Sequence, residues 1–245
     1  MRSLMSASVL AIVPALNEES TVSAVVQAIR SELSADVLVV DDGSTDLTGE
    51  KARAAGAIVA RHPFNLGVGA ALRTGFRYAD SAGYPIVIQV DADGQHVATE
   101  AHQLLELVRS GSADIAVGSR FAEGAGDYGV GRMRRFSMRV LSRIVSRRLG
   151  THITDTTSGF RAFGRVAIVR YAQAYPTAYL SDTVEALLLA KDWGLRVVEV
   201  PVAMRERMGG QASNNVVKSV YHLCRLMLVI VVHPLRRPLV GGANQ

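Results

Sequence analysis

Cysteine is all but missing. A single Cys224 in 245 residues excludes a disulfide framework and a cysteine metal cluster, and it fits a reducing compartment. Histidines are few and scattered, so no zinc-type ligand set competes for a metal. No long uninterrupted apolar run exists either. The most apolar stretch, Val216 to Val232, is broken by Lys218, His222 and Arg225, and falls short of the roughly 20 residues a membrane span needs. The N-terminal MRSLMSASVLAIVPALNEE has too short an apolar stretch for a signal peptide. Asn17, Glu18 and Glu19 follow it at once, so it reads as a first buried strand. Aromatics make up only 6% of the chain, and the arginine-rich 132–148 has only Phe136 among its basic residues, which argues against a single-stranded nucleic-acid platform.

What is present points the other way. A chain 49% hydrophobic and 20% charged has ample material for a core and no disorder signature. Its net charge of +5 suggests anionic partners such as a nucleotide, a phospholipid or a nucleic acid.

The first half repeats one rhythm: a β-branched strand, a polar turn, a helical stretch. VLAIVP leads to Ser20–Leu33, VLVVDD to Thr48–Ala55, AIVAR to Val68–Ala82 and IVIQVD to Val97–Arg109, with DIAVGS following. Such alternation predicts an α/β fold with a mostly parallel sheet covered on both faces. Ligands on these sheets sit outside the carboxyl ends of the strands. The polar clusters fall there: Asn17 and Glu18, Asp41 and Asp42, Asn65, Asp91 and Asp93, Ser119 and Arg120.

After Arg120 the pattern changes. A glycine-rich AEGAGDYGVG precedes an arginine-rich helix over 132–148. DTTSGFRAF reads as loop and strand, Asp182–Trp193 as a helix, RVVEVP as a strand and Asn214–Val232 as a final amphipathic helix. One domain over 1–213 with a C-terminal elaboration over 214–245 is the economical organisation. The last segment pairs an apolar body with Lys218, Arg225, Arg236 and Arg237, the composition of a helix lying at a membrane interface; packing onto the core or a partner subunit is the alternative.

IVIQVDADGQH raises the chemical question. Alternation on an extended segment puts Asp91 and Asp93 on one side, where their charges repel unless a cation relieves them. With Gln95 as a third oxygen ligand, the set suits Mg²⁺ or Mn²⁺ carrying an anionic ligand. In LVVDDGSTD, a doubled aspartate on a buried strand exceeds what helix capping requires, and Asp42 is expected to face a base or ribose. NLGVGAALRTG has Leu72 in the third glycine position of a dinucleotide fingerprint, which argues against NAD; its glycines allow a ligand close to the backbone, or tight packing.

The ordered set VPALNEES, VVDDGSTD, NLGVGAALRTG, VDADGQH, VGSRF, DTTSGFRAF and MRERMGGQAS resembles family 2 glycosyltransferases, and within them the dolichol- or polyprenyl-phosphate sugar synthases, over roughly Val9 to Leu228. The resemblance implies a GT-A fold and a nucleotide-sugar donor of the GDP-mannose or UDP-glucose type. Pro14, Asn17, Glu18 and Asp42 would hold the nucleoside, with Gly43, Asn65, Gly69 and Ala92 in the donor site. Asp91, Asp93 and Gln95 would bind the metal on the diphosphate. Arg120, Arg134 and Arg207 would handle phosphate charge, while Asp155, Ser158 and Arg161 would shape the sugar and acceptor pocket. Leu16 stands where many relatives have an aromatic, and Ser213 where close relatives carry a lysine. The place implied is the cytoplasmic face of a membrane, with the arginine-rich helix and the C-terminal helix meeting its surface and no nucleic acid involved.

The acceptor decides whether a base is needed. A hydroxyl must lose a proton, which makes Asp182 and Glu185 the candidates. A lipid phosphate needs only cations, and the surplus of arginine favours it. A nucleotidyltransferase lacks its basic glycine-rich loop here, and a merely binding module would not need the full carboxylate set.

Overall fold

The structure, a computed structural model, describes residues 8–122, 142–177 and 182–205. Strands β1 (Val9–Ala15), β2 (Asp36–Asp41), β3 (Ile58–Arg61) and β4 (Ile86–Gln89) alternate with helices α1 (Val22–Leu33), α2 (Thr48–Ala54) and α3 (Val68–Ser81). A short 3-10 turn (Ala98–Glu100) leads into α4 (Ala101–Arg109), then β5 (Ile115–Ser119). Residues 142–149 are helical (α5). After them come β6 (Arg161–Gly164), α6 (Arg165–Ala174), α7 (Asp182–Asp192) and β7 (Val197–Pro201). The seven strands form one sheet in the order β3-β2-β1-β4-β6-β5-β7, parallel except for β6.

Both sheet faces are covered, which is why the strands read as continuous apolar runs rather than as alternation. Along β1, Leu10 and Ile12 face a core shared with α3, α5, α6 and α7; Val9, Ala11 and Val13 face a second core shared with α1 and α4. Phe76 anchors the first core, with its ring edge-on to Phe163 at 4.9 Å and stacked on Tyr175 at 5.3 Å.

The predicted strands and helices of the first half are all present. Two features differ from expectation. Strand β6 is antiparallel and wedges between β4 and β5, so two consecutive βα units are not neighbours in the sheet. Helix α6 was not anticipated; it packs against α3 and supplies Ile168 and Tyr171 to the core. The predicted helix over 132–148 is described only from 142 onward, where Ser142, Val145 and Leu149 are buried and Arg143, Arg147 and Arg148 exposed. Arg134, Arg207 and the predicted helix Asn214–Val232 lie outside the described residues.

Candidate active site

The carboxyl ends of β1, β2 and β4 and the loops beside them build the site. Chain extension stops at Gln89, and Asp91, Ala92 and Asp93 form a turn completed by Gly94 at φ 77°. Asp91 and Asp93 therefore stand beyond the strand's end, so strand alternation, expected from the sequence, does not set their directions. Asp91 presents a half-exposed side chain, whereas Asp93 is buried with its Oδ1 accepting the Gln95 N–H at 3.0 Å. The Asp91 N–H donates to His96 Nδ1 at 3.0 Å, which leaves Nε2 to carry the ring proton toward Asp91 Oδ2, 3.7 Å away. His96 stacks on Phe160 at 4.7 Å. Burial pushes its imidazole below the usual range against the opposing pull of Asp91, Asp93 and Asp155, and Arg120 adds to the depression.

Opposite His96 lies Gly159. A Cβ there would sit 2.7 Å from Asp91 Oδ2, so the missing side chain is what makes room for the carboxylate. This cradle and the hard oxygen donors fit a divalent cation. Among the described residues no group of three or more His, Cys, Asp or Glu could hold a metal alone. The two aspartates therefore suit an ion whose remaining ligands come from elsewhere, as diphosphate oxygens would supply.

Behind the turn is a buried ionic network. Arg120 grips Asp155 through Nε at 2.6 Å and a terminal nitrogen at 3.0 Å, the strong two-pronged arrangement. Asp155 is fully buried and also accepts the N–H and hydroxyl of Thr157. Glu199, on β7, accepts the N–H groups of Thr154 and Asp155 and the Thr154 hydroxyl. Four residues singled out from the sequence are held by internal partners in this network. Arg120 has its charge balanced by Asp155. Asp155, Ser158 and Arg161 are each no more than 1% exposed. Ser158 Oγ accepts the Phe160 N–H, and Arg161 donates to the carbonyls of Thr156 and Thr183. Burial makes such internal bonds necessary, and of the Arg161 nitrogens only the buried Nε lacks a partner among the described residues.

Asp182 begins α7 and is 3% exposed. Burial raises its carboxyl above the ordinary range, Arg161 and the helix-start N–H groups pull it back, and Asp91 pushes it further up. Glu185 lies one turn on, partly buried. Gly69 is packed against this corner: a Cβ would meet the Pro176 carbonyl at 2.3 Å and Asp182 Cβ at 3.2 Å, so packing accounts for it.

The nucleoside side is knitted from loops. Asn17, in the left-handed region at φ 55°, accepts the Thr45 N–H on its Oδ1, and its own N–H donates to Ser44. The Glu18 N–H donates to Thr48, and Pro14 pairs in register with Val40. Asp42 accepts three bonds, from His62 Nδ1 and the N–H groups of Leu66 and Gly67, which leaves one acceptor position on Oδ2. Asn65 Oδ1 shares the Gly67 N–H. Gly43, at φ 79°, lies against the backbone of Phe64 and Asn65. Past β7 the chain returns over the acidic turn, with Arg205 N–H donating to the Gln95 carbonyl.

Sequence reasoning assigned no role to His62, His96, Gly159 or Glu199. A lone acid within RVVEVP and the histidine ending VDADGQH were the available signals.

Fold and site together define a GT-A glycosyltransferase. Residues 10–171 match the model of glycosyl transferase family 2, and the chain belongs to that family. An undecaprenyl-phosphate mannosyltransferase of Micrococcus luteus is 33% identical over 213 residues, covering 84% of this chain and 86% of its own length. A polyprenol monophosphomannose synthase of Mycolicibacterium smegmatis is 32% identical over 212 residues, covering 81% and 77%. Among solved structures, glucosyl-3-phosphoglycerate synthase from Mycobacterium tuberculosis in complex with Mn²⁺ and UDP-glucose superposes with a TM-score of 0.69 at 22% identity, covering 97% of this chain and 82% of that one. The last is a likeness of fold.

Proposed function

We propose that this enzyme is an inverting, metal-dependent glycosyltransferase that moves a hexose from a nucleoside-diphosphate donor to a polyprenyl or dolichyl phosphate. The observation that carries the reading is the Asp91 carboxylate, cradled by Gly159 two residues before Asp93 in the turn past the carboxyl end of the central strand. The relatives named for polyprenyl-phosphate acceptors support the choice of acceptor.

Asp91 and Asp93, with Gln95, would hold Mg²⁺ or Mn²⁺, which when bound supplies positive charge to the departing diphosphate. Loops 14–18, 42–43 and 65–67 orient the nucleoside. An oxygen of the acceptor phosphate attacks the anomeric carbon as its bond to the diphosphate breaks. A phosphate acceptor is already anionic, so no base is needed. Arg120 is fixed by Asp155, whose own N–H donates to Glu199, so the chain just past β5 is held in place beside the site. Release of nucleoside diphosphate from a panel of sugar nucleotides, with polyprenyl phosphate and Mn²⁺, tests the proposal. Asp93→Ala is expected to lower the rate by about 10²–10³; unchanged turnover would refute the metal role.

One observation favours a second reading, a hydroxyl acceptor on a glycan or small molecule. Asp182 is a buried carboxyl with raised proton affinity, close enough to Asp91 to feel its charge, as a general base requires. Transfer to a hydroxyl acceptor, abolished in Asp182→Asn, would establish it.

Among the described residues no helix is long and apolar enough to cross a membrane. The basic residues of 132–148 and of 214–245 support a place on the cytoplasmic membrane face. Co-sedimentation with anionic vesicles is expected for the full chain and lost on deleting 214–245; equal binding by both would count against that segment.

A further inference from the structure

The structure assigns a positioning role in donor binding to His62 and Thr74, through the loop of residues 64–67; the inference rests on the donor site proposed above. His62 directly follows β3, where its N–H donates to the Asp41 carbonyl at 2.8 Å, so its backbone is pinned to β2. Its ring is spanned on both sides: Nδ1 meets Asp42 Oδ1 at 2.7 Å and Nε2 meets Thr74 Oγ1, on α3, at 2.9 Å. The Asp42 carboxylate can only accept, so Nδ1 carries the proton between them, and the Thr74 hydroxyl, able to donate or accept, tethers Nε2 and with it the ring's orientation. Three elements thus hang on one imidazole.

The consequence lies in the loop. Phe64, Asn65 and Leu66 are exposed, Phe64 by 63%, so apolar burial does not hold them in place. What holds them is Asp42, which accepts the Leu66 and Gly67 N–H groups at 3.0 and 2.8 Å. Asp42 can do so only while its carboxylate keeps one rotation, and His62 helps set that rotation by binding Oδ1, the same oxygen that accepts the Leu66 N–H. The Phe64 backbone in turn lies against Gly43, whose absent Cβ would come within 2.6 Å of it. Loosening the imidazole therefore frees the 64–67 loop and the Gly43 turn together. Both border the nucleoside side of the crevice, while the acidic turn after β4 is untouched. The nucleoside end of the donor is thereby governed by β2, β3 and α3, and its diphosphate end by the turn after β4.

The test compares wild type with His62→Ala, His62→Asn and Thr74→Val. It uses calorimetric titration with Mn²⁺ and whichever of UDP, GDP, CDP and dTDP wild type binds most tightly, plus donor KM and kcat. His62→Ala is expected to weaken nucleotide binding about tenfold, the worth of roughly one hydrogen bond of preorganisation. Donor KM should rise more than kcat falls. His62→Asn restores a donor beside Asp42 and should recover most of the affinity; Thr74→Val should fall between. Folded His62→Ala that binds as wild type does, or loses kcat at unchanged KM, overturns the inference. Should His62→Ala not fold, unchanged affinity in Thr74→Val overturns it equally. Wild type that binds none of the four diphosphates overturns the functional reading, and this inference with it.

Discussion

Asp182 shows at the residue scale how stability and function separate. Burial, opposed by Arg161, raises its carboxyl above the usual value of 3.8, so the folded chain holds that proton more tightly than the unfolded chain does. The stabilisation from this protonation is complete below the unfolded value and is lost as pH climbs through the raised folded value. At neutral pH the ionised carboxylate is a net cost. Asp182→Asn is therefore expected to raise the melting temperature at pH 7, with the gain shrinking toward zero near pH 4. A gain that persists at low pH would contradict this origin. With polyprenyl phosphate as acceptor the same variant should stay within a few-fold of wild-type rate.

The residue scale also marks where the sequence stopped being legible. Asp91, Asp93, Asp155 and Arg161 could be picked out as site residues from motif and position. Which of them face solvent could not, because Asp155 and Arg161 are turned inward by partners from distant segments, Glu199 through the Asp155 N–H and Thr183 through its carbonyl. Their chemistry was visible in the residue types; their pairing is a tertiary fact.

At the scale of elements, the first four strands announced themselves because each is a short β-branched run closed by Asp, Asn or Gly. Strand β6 is only four residues, RAFG, and its antiparallel pairing with β4 places Gln89 across from Arg161. Nothing local encodes that direction; the long excursion between β5 and β6 permits it. The turn after β2 is encoded locally and can be tested there. Gly43 sits at φ 79° with Phe64 backbone carbon 2.6 Å from where a Cβ would be. Gly43→Ala combines left-handed strain of about 1–3 kcal/mol with that clash. At about 2–4 °C per kcal/mol for a chain this long, melting should fall by several degrees. A thermal scan matching wild type would mean that the turn relaxes freely.

At the scale of the molecule, the doubly covered sheet leaves its carboxyl edge as the place where charged side chains can gather, and the polar strand ends converge there as the alternation of strands and helices predicted. The acidic turn brings two carboxylates but no third, so the cation affinity of the free enzyme should be low and should rise when a diphosphate completes the coordination shell. Electron paramagnetic resonance of Mn²⁺ reads this directly, because bound and free ion give different signals. The account predicts little bound Mn²⁺ for enzyme alone, near-stoichiometric binding once the matching nucleoside diphosphate is added, and loss of that binding in Asp91→Asn and Asp93→Ala. Mn²⁺ bound equally well without nucleotide, or retained by both variants, would contradict it.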